Sequence, residues 1–162
     1  MSAQPVSSAN ALSRVSAGGR RPPAGRILVV EDNPELRQLS SLVLRRLGFH
    51  VDCAADGEAG WEALGIMSYD VLITDHEMPR LTGLGLIKRM RAASVNTPAI
   101  LVSGRLPFAE PVLREIIGPG AALSKPFSFG EVVSEINRLL PKSRRIETGE
   151  DAPPKRATLS SA

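Results

Sequence analysis

The sequence is poor in cysteine and has no long apolar run, and both absences exclude classes of protein. Its single cysteine, Cys53, cannot form an intramolecular disulfide, which fits a reducing compartment. We expect Cys53 to be a small residue of the apolar core. No apolar stretch approaches the ~20 residues that a transmembrane helix needs. The first residues also lack the apolar core of a secretory signal. We therefore expect a cytoplasmic protein.

Acidic residues are absent from the first 26 residues, which contain four arginines. The first 26 residues thus have a net charge of +4 and residues 141–162 a net charge of +2. Because the whole chain has a net charge of +3, the residues between them carry −3. Because the basic charge lies outside the middle, binding of nucleic acid or anionic membrane is an alternative for the ends only. Residues 1–25 are predicted to be a disordered tail, with an organelle transit peptide as the alternative. Residues 141–162 are predicted to be a flexible charged tail.

Between residues 26 and 140, short apolar runs alternate with helical patterns. Strands are predicted at 27–30, 50–54, 69–74, 98–102 and 121–123. A helix should follow each strand, the first capped by Asn33 and stopped by Gly48. The fourth should be short, because Pro107 and Pro111 disfavour a long helix. This alternation predicts one α/β domain over 26–140, a parallel sheet with helices on both faces.

Helical spacing also predicts which side chains face the core. The inward-facing residues are predicted to be Leu36, Leu39, Val43 and Leu47 in the first helix, and Trp61, Leu64 and Met67 in the second. In the third helix, Lys88, Arg89 and Arg91 are expected on a solvated face.

Four of the five predicted strands end in a polar group. Glu31 and Asp32 follow the first strand, Asp75 the third, Ser103 the fourth and Lys125 the fifth. Each one alone is an ordinary cap, turn or loop residue. Together they converge on one edge, because parallel strands point the same way and ligands bind at their carboxyl ends.

Three carboxylates at one edge repel each other unless a cation neutralises them. Oxygen ligands favour a hard ion, usually Mg²⁺. Lys125 and Ser103 suit the oxygens of a phosphoryl group, one as a charge and the other as a hydroxyl donor. Asp75 is then a candidate nucleophile that forms an aspartyl phosphate by in-line transfer.

Four stretches carry a resemblance to a known family: ILVVEDN (27–33), VLITDHEMP (71–79), ILVSG (100–104) and SKPF (124–127). Together they resemble the receiver domain of two-component response regulators. The resemblance implies a flavodoxin-like sheet in the order 2-1-3-4-5. It also implies that a histidine kinase or phosphotransfer protein is the partner that phosphorylates the domain.

The resemblance assigns a role to each site residue. Asp75 would accept the phosphoryl group, and Ser103 and Lys125 would bind its oxygens. Asp32 and Asp75 would ligate Mg²⁺ directly, while Glu31 would act through water and Glu77 through its backbone carbonyl.

One departure concerns the output of such a domain. The family's switch aromatic lies three residues before the lysine, where this chain has Ala122. The 22 residues after 140 are too few for an added DNA-binding domain, so we predict a single-domain regulator that signals by protein contact and is not a classical enzyme. The alternatives are a Mg²⁺-dependent phosphohydrolase, in which Glu77 replaces the usual second aspartate, and a binding module independent of phosphorylation. We also hypothesise that Glu77 and Arg105 form an ion pair across the mouth of the site; the alternative is that both side chains point into solvent.

Overall fold

A computed structural model of the chain describes residues 24–146. The parts of the predicted tails at residues 1–23 and 147–162 lie outside the described residues. The elements in chain order are β1 (Arg26–Val30), α1 (Pro34–Arg46), β2 (His50–Ala54), α2 (Gly57–Ile66), β3 (Val71–Asp75), α3 (Gly83–Ala92), β4 (Ala99–Ser103), α4 (Glu110–Ile117), β5 (Gly120–Ser124), α5 (Phe129–Leu139) and a 3-10 turn (Lys142–Arg144).

The five strands form one parallel sheet in the order β2-β1-β3-β4-β5, which confirms the predicted fold class. β3 lies at the centre, and all five of its residues are buried. Alternate strand side chains feed two separate apolar clusters, one containing Leu28 and Leu72 and the other Ile27 and Ile73. Helices therefore cover both faces of the sheet.

The apolar face of α1 differs from the prediction. Leu44 is the buried residue of this helix, whereas Leu36 and Leu39 are 45% and 47% exposed. The helix carries more leucines than its contact with β1 and β2 can cover, so spacing alone does not identify the buried ones. The prediction for Met67 is also wrong, because α2 ends at Ile66 and Met67 is exposed in an extended conformation.

Two further residues have surroundings that the sequence did not predict. Cys53 is exposed on the edge strand β2 and does not fill the core. Arg91 is partly buried, and its guanidinium donates to the backbone carbonyls of Val95, Thr97, Ile117 and Pro119. It therefore joins the end of α3 to the end of α4.

Ordered structure continues past the predicted boundary at residue 140. Arg144 forms an ion pair with Asp70, which also accepts a hydrogen bond from the backbone N–H of Arg26. The side chain of Asn137 exchanges two hydrogen bonds with the backbone of Ile146. These contacts hold residues 142–146 under the amino ends of β1 and β3. Within residues 24–146, no helix is long and apolar enough to cross a membrane.

Candidate functional site

Three carboxylates meet where β1 and β3 end. Glu31, Asp32 and Asp75 each place one oxygen within 4.8 Å of the others. Asp75 is 5% exposed, Glu31 is partly buried and Asp32 is exposed. Burial raises the pKa of Glu31, and the nearby charges of Asp75 and Asp32 add to this effect. The cluster is therefore short of positive charge, and its oxygen donors fit Mg²⁺.

Lys125 supplies one positive charge. It follows β5, and its Nζ reaches past the end of β4 to donate to Asp75 Oδ1 at 2.7 Å. Burial raises the pKa of Asp75 despite this hydrogen bond, since the charges of Glu77 and Asp32 act in the same direction as burial. Burial alone would lower the pKa of Lys125, but its hydrogen bond and ion pair with Asp75 raise it. One lysine thus does not fully balance the acidic cluster.

Ser103 ends β4 and is fully buried. Its Oγ lies 2.5 Å from Glu77 Oε1 and 2.6 Å from the carbonyl oxygen of Arg105. The hydroxyl has one proton, so it donates to one of these two oxygens at a time.

The carboxylate of Glu77 contacts the loop after β4 and does not form the predicted ion pair with Arg105. Besides Ser103, its oxygens accept the backbone N–H groups of Gly104 and Arg105, both at 3.4 Å. Among residues 24–146, no ion pair joins Glu77 to the Arg105 guanidinium. Glu77 is exposed, and the desolvation that it does undergo would raise its pKa, but the hydrogen bonds from Ser103, Arg105 and Gly104 lower the pKa.

A glycine lets the site loop pack closely behind Asp75. A Cβ on Gly83, the first residue of α3, would lie 2.1 Å from the carbonyl oxygen of Asp75. Real side chains do not tolerate such a contact, so only glycine fits this start of the helix. The close approach fixes the backbone that carries the central carboxylate.

Sequence reasoning missed one residue beside the site. Nη1 of Arg37, on α1, donates to the backbone carbonyl oxygens of Glu31 at 2.7 Å and Asp32 at 3.3 Å. In the sequence, Arg37 is an ordinary polar residue near the start of an amphipathic helix. The one feature of the sequence that could have pointed to this contact is its position four residues after the N-cap Asn33, one helical turn from the loop.

A family model described as the response regulator receiver domain matches residues 27–137. Among curated proteins, the chain is 31% identical over 126 residues to the transcriptional regulatory protein TrcR of Mycobacterium tuberculosis, covering 78% of this chain and 49% of that protein. It is 29% identical over 130 residues to the cell cycle transcriptional regulator CtrA of Caulobacter vibrioides, covering 77% and 56%. The chain thus spans about half the length of the curated relatives it matches.

Solved structures show the same likeness. The receiver domain of the Francisella response regulator 1452 has 31% identity and a TM-score of 0.63, with 71% of this chain and 95% of that chain covered. The response regulator TrrA of Thermotoga maritima, solved in complex with Mg²⁺ and BeF, has 29% identity and a TM-score of 0.64, with 71% and 98% covered.

Proposed function

Because this chain belongs to the response regulator receiver domain family, we propose that it is a phosphoacceptor whose Asp75 takes a phosphoryl group from a histidine kinase or phosphotransfer protein. The observation that carries the proposal is the setting of Asp75. It is buried at the end of the central strand, with Glu31 and Asp32 beside it, and Lys125 donates a hydrogen bond to one of its oxygens. A carboxylate so placed is a nucleophile with cationic support.

The transfer forms one bond and breaks one bond. A carboxylate oxygen of Asp75 attacks phosphorus, and the bond from phosphorus to the donor imidazole nitrogen breaks. Lys125 moves from Asp75 to an oxygen of the transferred group, and Ser103 donates its hydroxyl to another.

The acidic cluster also suits a metal ion. When bound, Mg²⁺ would neutralise charge on the transferred phosphoryl oxygens. Asp32 and Asp75 would hold it directly, Glu31 through water and Glu77 through its backbone carbonyl. The mutual proximity of the first three carboxylates supports this assignment.

The setting of Glu77 favours the phosphoacceptor over the phosphohydrolase. A hydrolase needs a protonated general acid beside the nucleophile. Glu77 occupies that position in the sequence, but its pKa is lowered by hydrogen bonds from Ser103 and the loop N–H groups. It therefore stays ionised and is a poor proton donor.

The signal would leave the domain through protein contact, in the cytoplasm. Ala122 lies in a groove of about 590 Å³ between α4, β5 and α5. With alanine there, no swinging aromatic at this position can report phosphorylation. The partner would respond to the end of β4, where Ser103 lies, and to the loop that follows it.

Acetyl phosphate with Mg²⁺ tests the proposal. The wild-type chain should gain one phosphoryl group by intact mass, and Asp75→Asn should gain none. Asp52→Asn is the matched control, because it makes the same change to a partly exposed, ion-paired aspartate on the edge strand β2. Labelling of Asp75→Asn at the wild-type rate would show that another residue is the acceptor. A wild-type chain that gains nothing would favour the binding module.

A further inference from the structure

Arg37 holds the backbone of both acidic residues that follow β1. One nitrogen, Nη1, donates to the carbonyl oxygens of Glu31 and Asp32. The side chain starts from the first turns of α1 and reaches back over the loop. A single guanidinium therefore ties the loop to the helix.

Other restraints on this loop act on the residues on either side of Asp32. After it, the Asn33 side chain accepts the backbone N–H groups of Glu35 and Leu36. Before it, the restraints act on Glu31. The backbone N–H of Glu31 donates to Ala54, and its Oε1 accepts from the N–H of Asn33. For Asp32, which is exposed, the hydrogen bond from Arg37 to its carbonyl is the one recorded within residues 24–146. Arg37 is therefore the side chain that acts on the backbone of Asp32 itself.

We infer that Arg37 is a positioning residue for the acidic cluster and sets its affinity for a divalent cation. The inference rests on the metal-binding part of the proposed function. Glu31, Asp32 and Asp75 repel one another, and a free loop would relieve this repulsion by spreading. By fixing two carbonyls, Arg37 keeps the carboxylates together before the cation arrives.

The charge of Arg37 has the opposite effect to its hydrogen bonds. A guanidinium has no acceptor and cannot ligate a metal, and its positive charge repels a cation. If charge dominated, removing Arg37 would tighten Mg²⁺ binding. If positioning dominates, removal weakens binding, and outer hydrogen bonds at metal sites commonly change affinity by about 10–100-fold. We expect a loss at the lower end of that range, because the loop keeps its other bonds.

The experiment measures metal binding without phosphorylation. Mg²⁺ affinity is measured by calorimetry, and Mn²⁺ affinity by electron paramagnetic resonance, for wild type, Arg37→Ala, Arg37→Lys and Arg46→Ala. Arg46→Ala is the matched control, because this substitution removes the same charge from the same helix, nine residues from Arg37 and about 13 Å away by helical rise. Arg37→Ala should bind about tenfold more weakly, Arg37→Lys should lie between, and Arg46→Ala should match wild type. Thermal unfolding without metal checks that each variant is folded.

Several results would overturn the inference. Arg37→Ala binding as tightly as wild type, or more tightly, would do so. An equal loss in Arg46→Ala would show a general charge effect. If Arg37→Ala does not fold, wild-type affinity in Arg37→Lys would overturn it.

The inference and the proposed function can fail separately. A wild-type chain that binds no Mg²⁺ removes the inference together with its premise. A chain that binds Mg²⁺ with the expected dependence on Arg37, but is not phosphorylated on Asp75, keeps the inference and removes the phosphoacceptor.

Discussion

Glu77 forms a hydrogen bond with the Ser103 hydroxyl, which a phosphoryl group on Asp75 would need as a donor. Its carboxylate accepts from the Ser103 hydroxyl at 2.5 Å and from the N–H groups of Gly104 and Arg105 at 3.4 Å. In the proposed function, this hydroxyl would bind an oxygen of the phosphoryl group. If Asp75 is the phosphoacceptor as proposed, its phosphoryl group would displace the Glu77 carboxylate from the Ser103 hydroxyl. We expect Glu77→Ala to speed phosphorylation of Asp75.

The size of the effect follows from the bonds that must break. A hydrogen bond to a charged group contributes about 1.5–3 kcal/mol, and the lower end applies here because Glu77 is exposed. The two N–H bonds are long and add little. A barrier lower by about 1.5 kcal/mol corresponds to a rate increase of about tenfold. Glu77→Gln should fall between, since its neutral oxygen still accepts the Ser103 proton.

The assay follows the gain of mass with acetyl phosphate and Mg²⁺ over time, and then the loss of phosphate after the donor is removed. The backbone carbonyl assigned to Mg²⁺ is present in both variants. Glu62→Ala is the control, because it removes the same charge from an exposed position on α2. An unchanged or slower rate in Glu77→Ala would refute the idea that this carboxylate competes with the phosphoryl group.

Two other predictions concern stability. Burial raises the pKa of the Asp75 carboxyl above its value in the unfolded chain. The folded chain therefore holds the carboxyl proton more tightly than the unfolded chain does. As the pH rises from the unfolded pKa through the folded pKa, Asp75 ionises and the folded state loses stability. Without Mg²⁺, Asp75→Asn should melt above wild type at neutral pH, and the gap should close towards about pH 4; a variant that melts lower at neutral pH would contradict this. Arg91→Ala should lower the free energy of unfolding by about 1–3 kcal/mol in denaturant titration, because the carbonyls of Val95, Thr97 and Ile117 lose this donor. Arg89→Ala, exposed on the same helix, should change it far less, and equal losses would count against the role of Arg91.

The sheet and its acidic edge were predictable because they depend on residues next to each other in the sequence. Val71, Leu72 and Ile73 form an apolar run that is typical of a strand buried on both faces, and Asp75 follows at its end. Parallel direction then brings Lys125 to the same edge, where its long side chain reaches Asp75. These inferences need only strand order and chain direction.

Side-chain directions on helices and loops were not predictable in the same way. Arg37 and Arg91 look like solvent-facing residues, yet both bind backbone carbonyls on neighbouring segments. Opposite charges suggested a pair between Glu77 and Arg105, but the backbone N–H groups and the Ser103 hydroxyl lie closer. Such contacts depend on how loops from separate strands meet.

The bonds between Arg144 and Asp70 and between Ala24 and Gly48 have a practical consequence. They place residues 24 and 146 at the amino ends of the strands, whereas Asp75 and Lys125 lie at the carboxyl ends. A dye, affinity handle or sensor surface joined next to either residue would therefore be about one strand length, roughly 17 Å, from the acidic edge. A chain immobilised in this way should present Asp75, the proposed phosphoacceptor, to the solution, which suits binding measurements with a candidate kinase in solution.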